Sequence, residues 1–486
     1  MFGNIANRVP RDQDYLDRTW RLDCLRRVLN GSLYELLPYQ FHQERIGTGG
    51  DGEYIPISER QPSVRYGMCR MVVEDSVALL FGEGRFPTID VDDPTARKIL
   101  GDIVKETLLN RVMLEAALRG SIGSVVIVMR VLRGRLFFEV MDTLYLTPEW
   151  QDEAPDTLAK VVEQRKVKGS ALIQQGYSID DDDIQTDFWF VRSWDTDSET
   201  WYLPWAVGDT DNAMRKDRDR SVWHRLGFVP IVWIRNLPGG DAVDGACTFR
   251  AAIETNIEID YQLSQAGRGL KYSSDPTLLL KEPATSDANL VRSSSSAIIV
   301  SADGDAKMLE ISGTASSAVI EYVRTLREMA LESIHGNRSN ADRVSAAQSG
   351  RAMELLFAPL ISLADNLRVS YGEDGLLRLM RMVIKASHRF ELKVFGEAIA
   401  ALPMNARLSL KWGPWFSLTL ADKMQQAQAI SAATAAGVMS RETAVKELAP
   451  TYDVEDVLGE LHRIGADLAA LNDLHREPRL DAHAGL

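Results

Sequence analysis

Several residue groups in this 486-residue sequence have the types that chemistry needs. Gly47, Gly49 and Gly52 spell G-x-G-x-x-G. In a dinucleotide-binding turn that spacing lets backbone amides approach a pyrophosphate, but only between a strand and a helix. Here residues 39–46 are polar and residues 53–59 carry no helical period, so a loop is expected. Asp180, Asp181, Asp182 and Asp183 put four carboxylates in succession. They lack the EF-hand spacing and its distal Glu, and read as a solvated acidic loop. The seven His (42, 224, 335, 388, 462, 475 and 483) and the three Cys (24, 69 and 247) show no zinc-ligand spacing. An odd number of Cys without C-x-x-C fits reduced thiols. His224 and His388 have no local Ser or Asp arranged as nucleophile and base. G-x-x-x-x-G-K-[ST], H-E-x-x-H and G-x-S-x-G are absent. No catalytic, cofactor-binding or metal-ligating set is expected, and the residues do not support an enzyme.

The charge narrows the partners. Fifty-five Lys and Arg against 69 Asp and Glu give −14, with an isoelectric point near 5.1. Such a chain repels phosphate on average, which excludes a generic tight nucleic-acid binder but not a protein past which DNA slides. Ten Trp, 14 Phe and 13 Tyr supply enough apolar surface for folded domains, two to four of them at roughly 100–200 residues each. The longest apolar run, 122–132, is broken by Gly123 and Arg130 and falls short of the ~18–20 residues a membrane span needs. Residues 1–13 contain no apolar core, so no signal peptide is expected.

The elements that would position any site follow from periodicity. Helical spacing of apolar residues covers 12–36, ending at Asn30-Gly31, then 64–82, ending at Gly82 and Gly84. A helix over 93–119 has Asp93 as N-cap and Pro94 at its first position. From Gly120 the period becomes two. Residues 124–131 and 135–141, separated by Arg133-Gly134, read as a hairpin. Residues 150–183 read as a polar stretch, followed by strands at 186–194, 199–206 and 228–236. Helices return at 245–266 and 315–335, flanking strand-like pieces in the Ser-rich segment 271–312. A polar break at 336–345 precedes helix 346–388, with an interruption expected at Pro359 or at Gly372–Gly375. Residues 391–420 hold one or two strands. The tail is helical over 421–436, 440–448 and 454–474, with the last of these expected to pack on the first.

Four segments, in order, resemble the portal protein family of tailed bacteriophages. Residues 72–84, VVEDSVALLFGEG, are similar to its early wing helix that stops at a Gly. Residues 227–236, GFVPIVWIRN, are similar to its G-x-x-P strand that closes on Asn. Residues 243–265 followed by SSDPTLLLK resemble its first stem helix running into the clip. Residues 437–448, GVMSRETAVKEL, resemble its G-hydrophobic-hydrophobic-S-x-E-T step. Many members place Gly-x-Ser-Asp before the first stem helix. Here the residues are Asp244-Gly-Ala-Cys-Thr248, and Asp244 or Thr248 is the expected cap.

The resemblance implies an α+β, portal-type fold. It comprises an α/β wing (1–240, with a helix and strands at 347–420), paired stem helices (241–270 and 315–335), a small α/β clip (271–314), a tunnel loop (336–346) and a helical crown (421–486). It further implies a virion protein of the portal vertex, assembled in the host cytoplasm, without a membrane, as a ring of about twelve copies. Its partners would be double-stranded DNA bound without sequence specificity, the major capsid protein, scaffolding protein, terminase and head-tail adaptor, in genome packaging and ejection. Arg338, Asn340 and Arg343 would meet passing phosphates. The charged sides of the stem helices, with Glu254, Glu258, Asp260, Arg324, Arg327 and Glu328, would face the channel. The alternatives are another phage structural or adaptor protein, or a cytosolic enzyme with an unrecognised site.

Overall fold

The computed structural model describes all residues except 47–51, 83, 210, 275–276, 284–299, 310–312, 337–356, 416–419, 453, 455 and 475–486. The chain divides into two compact units, Met1–Arg338 with Pro359–Gly413, and Ser339–Ala358 with Pro414–Leu486.

In the first unit, α1 (Phe2–Ala6) and α2 (Asp17–Asn30) lead to short strands β1 (Tyr39–Gln40) and β2 (Arg60–Gln61), which pair in parallel. Next come α3 (Met68–Phe81), β3 (Thr88–Val91), α4 (Pro94–Glu106) and α5 (Leu109–Gly120). The carboxylate of Asp93 accepts from the amides of Thr95 (3.0 Å) and Ala96 (3.3 Å), with Pro94 at the first helical position, as read from the sequence. The single helix expected over 93–119 is two helices. Leu108 adopts a left-handed backbone (φ 49°), a conformation that breaks the ladder between α4 and α5.

Two antiparallel sheets follow. Strands β4 (Ser124–Leu132) and β5 (Arg135–Asp142) form the expected hairpin, with Arg133 and Gly134 both at positive φ (53° and 83°) as a two-residue turn of this hand requires. The stretch 150–183, read only as polar and without a strand, holds most of a second hairpin, β6 (Leu146–Gln151) and β7 (Ala154–Lys168). Along β7 only Leu158, Val161, Glu163 and Val167 are buried, so its pattern looks polar although one face is covered. A short helix α6 (Gly169–Gln174) leads to β8 (Asp187–Trp194), β9 (Ser198–Tyr202), β10 (Trp205–Ala206) and the charged edge strand β11 (Lys216–Trp223), which the sequence did not signal. These make one six-stranded sheet, β11-β9-β8-β7-β6 with β10 on β8. Strand β12 (Ile231–Arg235) joins β4 and β5 in the order β12-β4-β5. Val126, Val128, Ile231 and Trp233 from this smaller sheet pack on Leu146, Leu158, Val161 and Trp194 from the larger one. Each such side chain contributes roughly 1.5–3 kcal/mol on burial. The architecture is α+β.

The chain then enters α7 (Ile253–Ser274), the antiparallel hairpin β13 (Thr277–Pro283) and β14 (Val300–Leu309), and α8 (Gly313–Ser333). After α9 (Ala358–Leu367) the helix does not break at Gly372–Gly375. It widens into a π-helical turn, Arg368–Leu377, and resumes as α10 (Arg378–Ser387). A Cβ on Gly375 would lie 2.8 Å from Ile234 Cδ1, so the absence of a side chain lets the widened turn sit on β12. Strands β15 (Lys393–Val394), β16 (Glu397–Ala398) and β17 (Leu408–Lys411) close the unit, with β17 pairing back to β3.

The second unit holds α11 (Leu420–Ala435), α12 (Arg441–Leu448) and α13 (Val457–Leu474). Ser440 caps α12 by accepting the Thr443 amide at 3.2 Å, which gives the S-x-E-T step a physical reason. Both α11 and α13 contact α12, so the tail helix packs on 441–448.

Candidate functional site

The feature that the folded residues build most deliberately is the seat of α7 and α8. Three buried polar groups hold it.

The first is Asn236, the residue that ends the G-x-x-P strand motif. Its Nδ2 donates to Ala246 O (2.8 Å), Ser121 O (3.3 Å) and Thr248 Oγ1 (2.9 Å), and its Oδ1 accepts from the Tyr371 hydroxyl (3.0 Å). Its own carbonyl accepts from Ser370 Oγ. One amide thus joins the end of β12, the lead into β4, the approach to α7 and the π-helical turn. A buried amide satisfied on both ends specifies one geometry, because any shift strands a donor or acceptor.

The second is Asp244, which is 2% exposed. Arg18 grips both its oxygens, Nε to Oδ2 at 2.8 Å and Nη2 to Oδ1 at 2.7 Å. Arg21 adds a bond to Oδ2 at 2.8 Å and Ser124 Oγ one to Oδ1 at 2.5 Å. Arg18 also donates to Thr143 O at 2.7 Å. Asp244 is therefore not the cap of α7, and neither is Thr248, whose hydroxyl receives Asn236. With both committed elsewhere, residues 250–252 make a 3-10 turn and α7 starts at Ile253, later than the sequence suggested.

The third is a row along α7. Asn256 Oδ1 accepts from Met68 N (3.0 Å), Asp260 Oδ1 from Tyr66 N (2.7 Å) and Ser264 Oγ from Val64 N (3.0 Å). Every fourth helix residue meets every second residue of Val64–Met68, the stretch that leads into the start of α3. Asp260 Oδ2 also accepts from the Tyr34 hydroxyl at 2.7 Å and from Asn256 Nδ2 at 3.2 Å. Desolvation raises the Asp260 carboxyl to about 6, against the pull of these donors. Burial foremost, with the neighbouring carboxylate, pushes the Tyr34 phenol well above its ordinary value.

This corrects one expectation. Asp260 is not on a wet face of α7; it is 1% exposed and faces Tyr34 and residues 64–68. The remaining channel candidates lie elsewhere. Glu254 is exposed and accepts from the Phe2 amide (3.0 Å) and the Met1 ammonium (2.9 Å). Glu258 is half-buried and accepts from Gln262 Nε2 at 2.8 Å. Arg324 is exposed and pairs with Glu321 at 3.2 Å, Glu328 is exposed, and Arg327 is half-buried with a buried Nε that has no partner among the described residues. Arg338, Asn340 and Arg343 lie outside the described residues.

Helix α8 packs on α7 and on the turn Arg250–Ala252. Its end is seated by buried Ala330, Leu331 and Ile334, with Gly336 against Val72 of α3. The apolar positions along α8 are only partly covered. Ile320 (53%) stands exposed on one flank of the helix, and Tyr322 (47%) and Met329 (61%), seven residues apart, on the opposite flank. The sequence could not show this, because helical spacing reads the same whether a residue is covered or exposed.

Among the described residues, the other chemistry-bearing side chains do not converge. His224 Nδ1 accepts the Leu226 amide at 3.2 Å, and burial lowers the imidazole pKa despite nearby Asp195 and Glu199. Ser198 Oγ donates to Asp195 at 2.8 Å within a turn rather than to His224, so no nucleophile–base pair forms. Burial pushes the thiols of Cys24, Cys69 and Cys247 up, to about 11, 12 and 12. Asp181–Asp183 form one 3-10 turn, and among the described residues no group of three or more His, Cys, Asp or Glu could hold a metal ion. No described helix is long and apolar enough to cross a membrane.

No family model matches the chain, and no curated protein matches it. Among solved structures, it is similar to a chain in the neck of an empty gene transfer agent particle computed with C6 symmetry, at 11% identity and a TM-score of 0.37, over 77% of this chain and 87% of that one. A chain in the virion of a native gene transfer agent particle gives 10% identity and a TM-score of 0.36 over 77% and 86%.

Proposed function

We propose that this chain is a phage portal protein: a non-enzymatic ring of about twelve copies at one capsid vertex, through which double-stranded DNA is packaged and ejected. The observation that carries the reading is the helix pair α7 and α8, joined through the hairpin β13–β14 and locked at its base by Asn236, Asp244 and Asp260. A rigid base on a paired stem suits a part that must hold its place while a polymer moves past it. The exposed Ile320 on one flank of α8, and Tyr322 and Met329 on the other, suit a helix flanked by a neighbouring copy on each side in a ring.

On this reading 241–270 and 315–335 are the stem, 271–314 is the clip that receives terminase and the head-tail adaptor, 1–240 with 347–420 is the wing facing capsid and scaffolding protein, and 421–486 is the crown. Glu254, Glu258, Arg324, Arg327 and Glu328 line the channel wall. Arg338, Asn340 and Arg343 in the tunnel loop touch phosphates in passing and read no bases. Copies of −14 each total about −168 over about twelve, a field that keeps DNA from adhering while it moves.

The test is genome content. Particles assembled with Arg338→Ala/Arg343→Ala should contain normal rings and lose packaged or retained DNA. Unchanged DNA content would sink the tunnel-loop assignment. Particles assembled without the chain should contain no DNA, and filled particles would sink the portal reading.

A further inference from the structure

A second feature lies away from the stem. A cleft of about 320 Å³ opens where the β6–β7 turn meets α10. Its floor is apolar: Trp150, Leu158, Phe228 and Trp233 among others. Its wall is the basic face of α10, with Arg378, Arg381 and Lys385 one turn apart. Asp156 is the carboxylate among the lining residues, and with Asp374 it engages Arg378, at 3.9 and 2.7 Å. Arg381 and Lys385 are exposed and have no carboxylate partner among the described residues; Lys385 Nζ sits 5.7 Å over the Phe228 ring. In a chain of −14, an unneutralised basic wall beside an apolar floor selects an acidic occupant. The floor keeps water from one side, so charges across the cleft interact more strongly than on an open surface.

The same chain carries a matching segment. Asp180, Asp181 and Asp182 are exposed and have no cationic partner among the described residues. Their position is fixed: Ser170 N donates to Ile184 O at 2.8 Å and Gly169 N to Thr186 O at 3.0 Å, which ties the loop to the end of β7. The cleft is at the start of that strand, beside Asp156–Leu158, and the acidic run at its finish, beside Lys168–Gly169. Twelve strand residues separate them by roughly 40 Å. The two patches cannot meet within one chain.

We propose that they meet between chains: the Asp180–Asp183 loop of one copy docks on the Arg381–Lys385 wall of the next. The contact joins unlike surfaces at opposite ends of one sheet, so it is head-to-tail and repeats around a closed ring. The inference rests on the ring reading and names which surfaces join.

Charge reversal tests it. Arg381→Glu/Lys385→Glu and Asp181→Lys/Asp182→Lys alter exposed side chains, and circular dichroism should report unchanged folds. Each variant alone should weaken assembly at least about tenfold by mass photometry at ~0.15 M salt. The chain carrying all four changes should assemble again, and so should an equimolar mixture of the two variants. In the unmodified ring, carbodiimide should link Lys385 to Asp181 or Asp182 between copies. Wild-type assembly by both variants would overturn the contact and leave the ring standing. Impairment without recovery in the four-residue variant would also overturn it, and would assign the cleft to a different acidic partner. An unmodified chain that never exceeds a monomer would instead remove the ring on which the contact rests.

Discussion

The backbone amide of Tyr66 donates to Oδ1 of Asp260 at 2.7 Å, and through that bond the segment leading into α3 is registered against α7. The carboxylate sits between the amides bound by Asn256 and Ser264, so it reports on the whole row. Four neighbours face it: the Tyr34 hydroxyl, the Asn256 amide, the Tyr66 amide and, at longer range, the Arg65 guanidinium.

Asp260 should make stability depend on pH in an unusual direction. Its folded value is raised from 3.8 to about 6, so between those values the folded state holds a proton that the unfolded state has released. Stability from this group is fully present below about pH 4 and is lost as pH rises through about 6, a change of about 3 kcal/mol. Lowered carboxyls such as Asp195 and Asp241 slope the other way, so the comparison is between proteins. Urea unfolding from pH 4 to 7 should show Asp260→Asn lacking this fall. Parallel pH profiles for the two proteins would refute the assignment.

Arg18 and Asp244 should couple strongly. Asp244→Ala leaves Arg18 half-buried without its carboxylate, and should destabilise the fold by about 3–5 kcal/mol. Arg18→Ala should cost a similar amount. In the double variant the losses should fall short of additive by more than about 1.5 kcal/mol. Additive losses in a denaturant-melt cycle would mean the pair contributes nothing jointly.

Gly120 should tolerate no side chain. A Cβ there would stand 2.2 Å from the Tyr371 hydroxyl, and Tyr371 is fully buried and holds Asn236. Gly120→Ala should lower stability by about 2 kcal/mol, and combining it with Tyr371→Phe should cost less than the sum. The readout is the denaturant midpoint.

Ile320→Glu/Met329→Glu should separate folding from assembly. Both side chains are already exposed within one chain, so the thermal midpoint of the unassembled protein should move by less than about 2 °C. Assembly by mass photometry should weaken. An unchanged assembly would show that α8 is not covered by a second copy.

Much of this was legible in the residues because local rules decided it. Asp93-Pro94 capped α4, Arg133-Gly134 turned the β4–β5 hairpin, and Asn30-Gly31 ended α2. What escaped was set by tertiary contact. Strand β7 hid among Lys, Gln and Glu because only one face of it is covered. Edge strand β11 carries Lys216, Asp217, Arg218, Asp219 and Arg220, which have no strand signature. The break at Leu108 needs a left-handed leucine that no propensity announces. Asp244 and Asp260 looked like a helix cap and a solvated charge. Both are buried because their partners, Arg18, Tyr34 and Tyr66, come from more than 190 positions away in the chain.

The most direct test of the central proposal is negative-stain imaging of the purified chain, with native mass spectrometry of the same sample. The proposal predicts closed rings of about twelve subunits with a central opening. A uniform population of monomers or dimers across assembly conditions would contradict it.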